Sequence, residues 1–92
     1  MSLTIIESNG TFFLNGNINS GTCGFLKHHL EALIDLKNEL TINIESVKEI
    51  DVNGVFILRI LYDNAAKHNK TFWITGYGCK SIYDEFKYSK PA

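Results

Sequence analysis

The chain has 92 residues, a formal net charge of −1 and 45% hydrophobic residues. This length suits one compact domain, since domains typically have about 100 to 150 residues, and the hydrophobic fraction is sufficient for a packed core. The nearly balanced charge provides no broad field to attract nucleic acid or an anionic membrane. No apolar run approaches the roughly 20 residues that cross a bilayer, so we expect no membrane-spanning segment.

The first third of the chain predicts a β-hairpin followed by a helix. Residues 4–8 and 11–14 are rich in Ile, Phe and Thr, and the Asn9-Gly10 pair between them suits a tight turn. Apolar residues at spacings of three and four then predict an amphipathic helix, capped by Asn19, Ser20 or Thr22. The residues that recur at these spacings are Phe25, Leu26, His29, Leu30, Leu33, Ile34 and Leu36.

The middle of the chain predicts a strand that leads directly into a second helix. Leu40, Ile42 and Ile44 alternate with polar residues, which is typical of a strand with one buried face and one wetter face. The second helix is predicted from Gly54 to about His68. Its predicted apolar stripe is Ile57, Leu58, Leu61 and Ala65, with Arg59, Asp63 and Lys67 on the solvent side.

The last third predicts a strand at residues 71–75, a break at Gly76-Tyr77-Gly78 and a short helix at residues 80–88. Residues 1–88 are then one domain, and residues 89–92 are a frayed tail. The element order is β-β-α-β-α-β-α. Because connections between parallel strands are right-handed, we expect an α/β fold with a four-stranded mixed sheet and helices mainly on one face.

The segment EIDVNGVFIL, residues 49–58, passes from strand to helix without a loop. The Asp51 carboxylate is expected to accept N–H groups from the helix, Asn53 is a favoured cap residue, and Gly54 lets the chain turn closely. All three residues are consistent with ordinary turn and capping chemistry. A functional interpretation needs further support.

That support is a resemblance that covers most of the chain. A Leu-x-Gly-x-Leu-Asp segment that leads into a first helix is matched by LNGNINSGTCGFLKHHLEAL. A strand, a Val-x-x-Ile-Asp-Ser-Ser-Gly turn and a second helix are matched by LTINIESVKEIDVNGVFIL. A last strand is matched by KTFWITG. In these segments the chain resembles the STAS family, the sulphate-transporter and anti-sigma-factor-antagonist domains. The resemblance implies a small, cytoplasmic, non-enzymatic module that docks an anti-sigma-factor kinase of the histidine-kinase-like ATPase type.

The chain departs from this family at the regulatory position. The residue before the turn glycine is commonly Ser or Thr in the family, and its phosphorylation by the partner prevents binding. Here that position is Asn53, preceded by Val52, and an amide has no hydroxyl to accept a phosphoryl group. We therefore expect a constitutively competent binding surface, or one regulated elsewhere, for instance at Ser46.

The resemblance and the pattern together define a predicted partner-binding site. Phe56 and Ile60 fall outside the apolar stripe of the second helix, so we expect them on or near its exposed face, although single exposed apolar residues are common. The predicted site contains Asp51, Val52, Asn53, Gly54, Val55, Phe56, Ile60 and, from the loop before the first helix, Asn19.

Two other functions remain open. The chain could be a STAS subunit of a larger assembly, such as a lipid-transport ATPase or a stress-signalling complex. It could also bind a small ligand or act as an enzyme, with Asp51 and a neighbouring histidine as acid and base.

We expect no metal or cofactor. His28, His29 and His68 lack a convergent ligand spacing, and Gly76-Tyr77-Gly78 lacks the remaining glycine of a dinucleotide-binding fingerprint. Cys23 and Cys79 form no CxxC pair, and the first residues lack the basic start and apolar core of a signal peptide. We therefore expect a cytoplasmic monomer or weak homodimer with reduced thiols.

Overall fold

The computed structural model describes residues 2–88, so the predicted frayed tail at residues 89–92 lies outside the described residues. The described chain forms β1 (Leu3–Ser8), β2 (Thr11–Ile18), α1 (Cys23–Leu36), β3 (Glu39–Ile50), α2 (Val52–Lys67), β4 (Thr71–Thr75) and α3 (Cys79–Tyr88). This order confirms the prediction of an α/β fold with the order β-β-α-β-α-β-α.

Over residues 2–88 the sheet has four strands in the order β1-β2-β3-β4. β1 pairs antiparallel with β2, whereas β2 with β3 and β3 with β4 are parallel pairs joined through helices. Asn9 and Gly10 both have positive φ angles, of 52° and 85°, as a tight hairpin turn requires. β2 and β3 extend to Ile18 and Ile50, further than the alternating pattern alone predicts.

The core lies between the helices and one face of the sheet. Side chains alternate along each strand, so that Phe12 and Phe72 are buried while their neighbours Phe13 and Trp73 are exposed. The fully buried side chains come from both layers: Leu14, Ile18, Leu26, Leu30, Leu40, Ile42, Leu58 and Leu61. The other face of the sheet is not covered by any helix of the described chain.

The first helix is found where it is predicted, but fewer of its apolar residues are buried than the pattern contains. Thr22 is the N-cap residue, and the buried residues are Cys23, Leu26, Leu30 and Ile34. Phe25 and Leu36, which belong to the periodic apolar pattern, are exposed. Successive helical residues are about 100° apart around the axis, so Phe25 and Leu26 point in different directions. Only the side of α1 that carries Leu26 packs against the core.

Arg59 on α2 is the clearest difference from the predicted burial. It is only 8% exposed, so its predicted place on the solvent side is wrong, whereas Asp63 and Lys67 are exposed as expected. The cause is α3, which packs over this flank of α2. Arg59 Nη1 donates a hydrogen bond to the Phe86 carbonyl oxygen at 2.8 Å, and Arg59 Nε donates to Asp63 Oδ2 at 3.3 Å.

Between residues 2 and 88 we find no helix that combines the length and the apolar character needed to span a membrane.

Candidate functional site

The junction between β3 and α2 is formed by Asp51. Asp51 is the N-cap residue, with extended backbone angles, and its Oδ1 accepts the N–H of Gly54 at 2.9 Å. Its carbonyl oxygen accepts the N–H of Val55 at 3.0 Å, which is the first bond of the helix. The predicted role of the carboxylate is confirmed, but the expectation that Asn53 caps the helix is wrong, because Asn53 is already the second helical residue.

Gly54 lets the start of α2 lie directly against the end of β2. A Cβ atom at Gly54 would lie 2.8 Å from the carbonyl oxygen of Ile18 and 2.7 Å from its Cγ2. The same carbonyl oxygen accepts the N–H of Asp51 at 3.0 Å. Neither contact leaves space for a side chain, so the predicted close turn at Gly54 is confirmed, and the first turn of α2 is held against the sheet.

The first two turns of α2 present a row of apolar side chains to solvent. Val52 is 80% exposed and Phe56 is 62% exposed, and residues four apart lie on the same side of a helix. Ile60 continues this row but is half-buried, and Asn53 beside it is exposed. We call Val52, Asn53, Phe56 and Ile60 the α2 row. The structure therefore brings together four of the predicted site residues, next to the exposed Asp51.

A groove separates the α2 row from α3. Its volume is about 410 Å³, and it is lined by Ile50, Asp51, Val52, Val55, Phe56, Ser81, Ile82 and Glu85. The three α3 residues in this set were not part of the predicted site. Their position depends on how α3 packs against α2, and the one signal in the sequence is the spacing of four between the buried Ile82 and Phe86.

Comparison with known proteins decides the fold. No protein-family model and no curated protein matches the sequence. Among solved structures, an anti-sigma factor antagonist from Mycobacterium paratuberculosis matches with a TM-score of 0.70 and 20% identity, over 91% of this chain and 76% of that chain. The anti-sigma factor antagonist SpoIIAA in its unphosphorylated form matches with a TM-score of 0.62 and 9% identity, over 94% of this chain and 98% of that chain. The chain adopts the STAS fold.

In this STAS fold the loop between β2 and α1 lies close to the Asp51 turn. Burial and, secondly, the negative charge of Asp51 raise the pKa of Cys23, the first residue of α1. Asn19 in the loop is half-buried, and its Oδ1 accepts the N–H of Gly21 at 2.9 Å. Its own N–H donates to Thr22 Oγ1 at 3.0 Å. Asn19 therefore orders the loop, and its contact with a partner stays a prediction.

No histidine of the described chain lines the groove beside Asp51. His68 lies at the opposite end of α2, where its Nδ1 is 2.8 Å from the Asn64 carbonyl oxygen. Within residues 2–88, no three side chains of His, Cys, Asp or Glu converge on a possible metal site. Cys23 and Cys79 are not bonded to each other.

Proposed function

We propose that the chain is a non-enzymatic, cytoplasmic regulator that binds a protein partner through the α2 row, and that this partner is an anti-sigma factor of the kinase-type ATPase class. The observation that carries the proposal is the exposure of Val52 and Phe56 on the same side of α2. Contiguous exposed apolar side chains with a polar rim mark interaction sites on soluble proteins. Asp51 and Asn53 supply that rim.

The α2 row is a surface prepared for binding. The Asp51 cap and the close contact between Gly54 and Ile18 hold the first turn of α2 in one position. A partner would therefore lose little free energy in ordering this turn, and rigid surfaces bind more tightly for that reason. Phe56 is the expected anchor, because large aromatic side chains near the centre of an interface carry much of its binding energy.

The fold supports the class of partner. Both structural neighbours are anti-sigma factor antagonists. One of them is in its unphosphorylated form. The resemblance to the STAS family assigns the phosphorylated position to Asn53, whose exposed amide has no hydroxyl and no charge. We infer that the α2 row is constitutively available, or that another residue regulates it.

The proposal is tested by capture and direct binding. Immobilised wild type, Phe56→Ala and Phe25→Ala are exposed to lysate of the source organism, bound proteins are identified by mass spectrometry, and the affinity of the purified partner is then measured. Phe25 is a matched control, because it is a 52% exposed phenylalanine on α1. We expect a kinase-type ATPase on wild type and Phe25→Ala, with affinity reduced about tenfold or more in Phe56→Ala.

Two results would contradict the proposal. Equal affinity of Phe56→Ala and wild type would remove the α2 row from the interface. Capture of a transporter ATPase in place of a kinase-type ATPase would favour the alternative, a STAS subunit of a larger assembly.

A further inference from the structure

A second apolar surface lies on the helix-free face of the sheet. The strand register places Ile6, Phe13, Asn43 and Thr75 side by side in one row across the four strands of the described chain. The next row contains Ser8, Thr11, Thr41 and Trp73. We call these eight residues the open face. Its three large side chains are all accessible to solvent, with Ile6 62%, Phe13 40% and Trp73 50% exposed.

The open face is uncharged, although 21% of the residues in the chain are charged. Glu45 follows Asn43 on β3, and its Oε1 accepts the N–H of Tyr77 at 2.7 Å. Two further charges lie towards the two ends of β3. Glu39, at the start of β3, is paired with Thr71 just beyond the two rows. Lys48, near the other end of β3, lines a small pocket with Thr4 and Asn15. Glu39 and Lys48 therefore lie towards opposite ends of β3, on either side of the two uncharged rows.

We propose that the open face binds a second copy of this chain, face to face, with the two β3 strands antiparallel across a two-fold axis near Asn43. An uncharged face packs against its own copy without repulsion between like charges. Glu39 and Lys48 are at similar distances along β3 from Asn43. The antiparallel arrangement therefore brings Glu39 of one copy towards Lys48 of the other, whereas a parallel arrangement would bring Glu39 towards Glu39.

The size of the open face sets the strength of this contact. Four strands give a width of about 19 Å, and two rows of residues give a length of about 13 Å along the strands. The footprint is then roughly 250 Å², compared with about 800 Å² per partner in a standard stable interface. We therefore expect a weak dimer, with a dissociation constant on the order of 100 μM or above.

The edge of the sheet at β4 is a poor alternative for association. The N–H of Ile74 points away from β3 and donates to the hydroxyl of Tyr83 on α3 at 2.7 Å. An unpaired strand edge attracts other strands, and natural proteins block such edges. Because Tyr83 occupies the edge at Ile74, a strand of a second copy cannot pair along the whole of β4.

The test measures mass and fluorescence against concentration. Sedimentation analysis from about 10 μM to 1 mM should show an average mass that rises towards that of a dimer. The emission of Trp73, the single tryptophan, should shift to shorter wavelength over the same range. Phe13→Glu, and the milder Phe13→Thr, should weaken association at least about tenfold because each removes apolar contact, and Phe56→Glu on α2 should leave it unchanged.

A charge exchange tests the antiparallel arrangement. Glu39→Lys and Lys48→Glu should each weaken association a few-fold, and the double variant should restore it, because exposed ion pairs contribute modestly. Restoration is not expected from a parallel arrangement.

Several outcomes would overturn the dimer. A wild-type chain that stays monomeric at about 1 mM would overturn it. This holds even if the emission of Trp73 showed that another part of the same chain covers the open face. Loss of association in Phe56→Glu but not in Phe13→Glu would also overturn it. Because the α2 row and the open face carry different phenylalanines, the two proposals fail or succeed separately.

Discussion

Asp51 and Cys23 are electrostatic neighbours: burial of the Cys23 thiol and, after it, the negative charge of Asp51 raise the pKa of Cys23. The cap of α2 and the first residue of α1 thus lie at the same end of the molecule. Asp51 has two separable effects there, a hydrogen bond to Gly54 and a charge that acts on Cys23.

Two substitutions of Asp51 separate these effects. Asp51→Ala removes the acceptor for Gly54 N–H and should lower the free energy of unfolding by about 1 kcal/mol, measured by urea denaturation. Asp51→Asn retains an acceptor and should change it by less than about 0.5 kcal/mol, since Asn and Asp are comparable caps. Both should lower the pKa of Cys23, followed by the pH dependence of alkylation in a Cys79→Ser background. Equal stability loss in the two variants would show that charge, and not the hydrogen bond, stabilises the turn.

Gly54→Ala should destabilise the protein, although alanine is the better helix former. The new Cβ would lie 2.8 Å from the carbonyl oxygen of Ile18, and an overpacked site of this kind costs about 1 to 3 kcal/mol. Gly24→Ala is the matched control, because Gly24 is in the first turn of α1 and a Cβ there meets nothing within 4 Å. That control should be neutral or stabilising by up to about 1 kcal/mol. Thermal and urea unfolding of both variants measures the difference, and equal effects would contradict the packing argument.

The sequence predicts what depends on local pattern. The strand at residues 71–75 and the hairpin turn at Asn9 and Gly10 are correct because alternation and positive φ are properties of a few neighbouring residues. α2 begins at Val52, two residues before the predicted start at Gly54. The prediction began at Gly54 because glycine is a poor helix former and suggests a helix boundary. The Asp51 carboxylate instead satisfies the Gly54 N–H and lets the helix include it.

The rest depends on contacts between distant segments. The spacing of Arg59, Asp63 and Lys67 is that of a solvated helix face, and nothing within α2 signals that α3 covers Arg59. The position of the α2–α3 groove has the same origin, so Ser81, Ile82 and Glu85 were missed. The exposure of Phe56 was predictable because it depends on local spacing, which places Phe56 outside the apolar stripe of α2.

Arg59→Met should lower the free energy of unfolding by about 1 to 3 kcal/mol, because the Phe86 carbonyl oxygen loses its donor. This carbonyl lies in the last described turn of α3. Asp63→Asn is the control: its side chain is 50% exposed, so loss of the ion pair should cost at most about 1 kcal/mol. Hydrogen exchange of α3 amides should accelerate in Arg59→Met only. Similar losses in both variants would assign the stabilisation to the ion pair.

Stability should fall as the pH rises above about 9, the ordinary pKa of a thiol. Because the folded-state pKa of Cys23 is raised, the folded protein binds a proton that the unfolded chain has released. The stabilisation is complete below the unfolded pKa and is lost as the pH rises through the folded pKa. Burial also raises the pKa of Tyr83, which extends the decrease to higher pH. Melting temperatures of Cys23→Ala should depend less steeply on pH than those of wild type, and an unchanged slope would contradict this origin.

Asn53 gives the sharpest test of regulation at the α2 row. Asn53→Asp adds a negative charge in the first turn of α2, where the helix dipole favours it by about 0.3 to 1 kcal/mol, so the fold should not be destabilised. Partner binding should nevertheless weaken about tenfold, as a phosphoryl group at this position would cause. Asn38→Asp makes the same charge change in the exposed turn before β3, at the other end of that strand, and should bind as wild type does.

Asn53→Ser, incubated with the captured kinase-type ATPase and ATP, should gain a phosphate that wild type does not. Phosphorylation of wild type at Ser46 would instead show that control has moved to another residue.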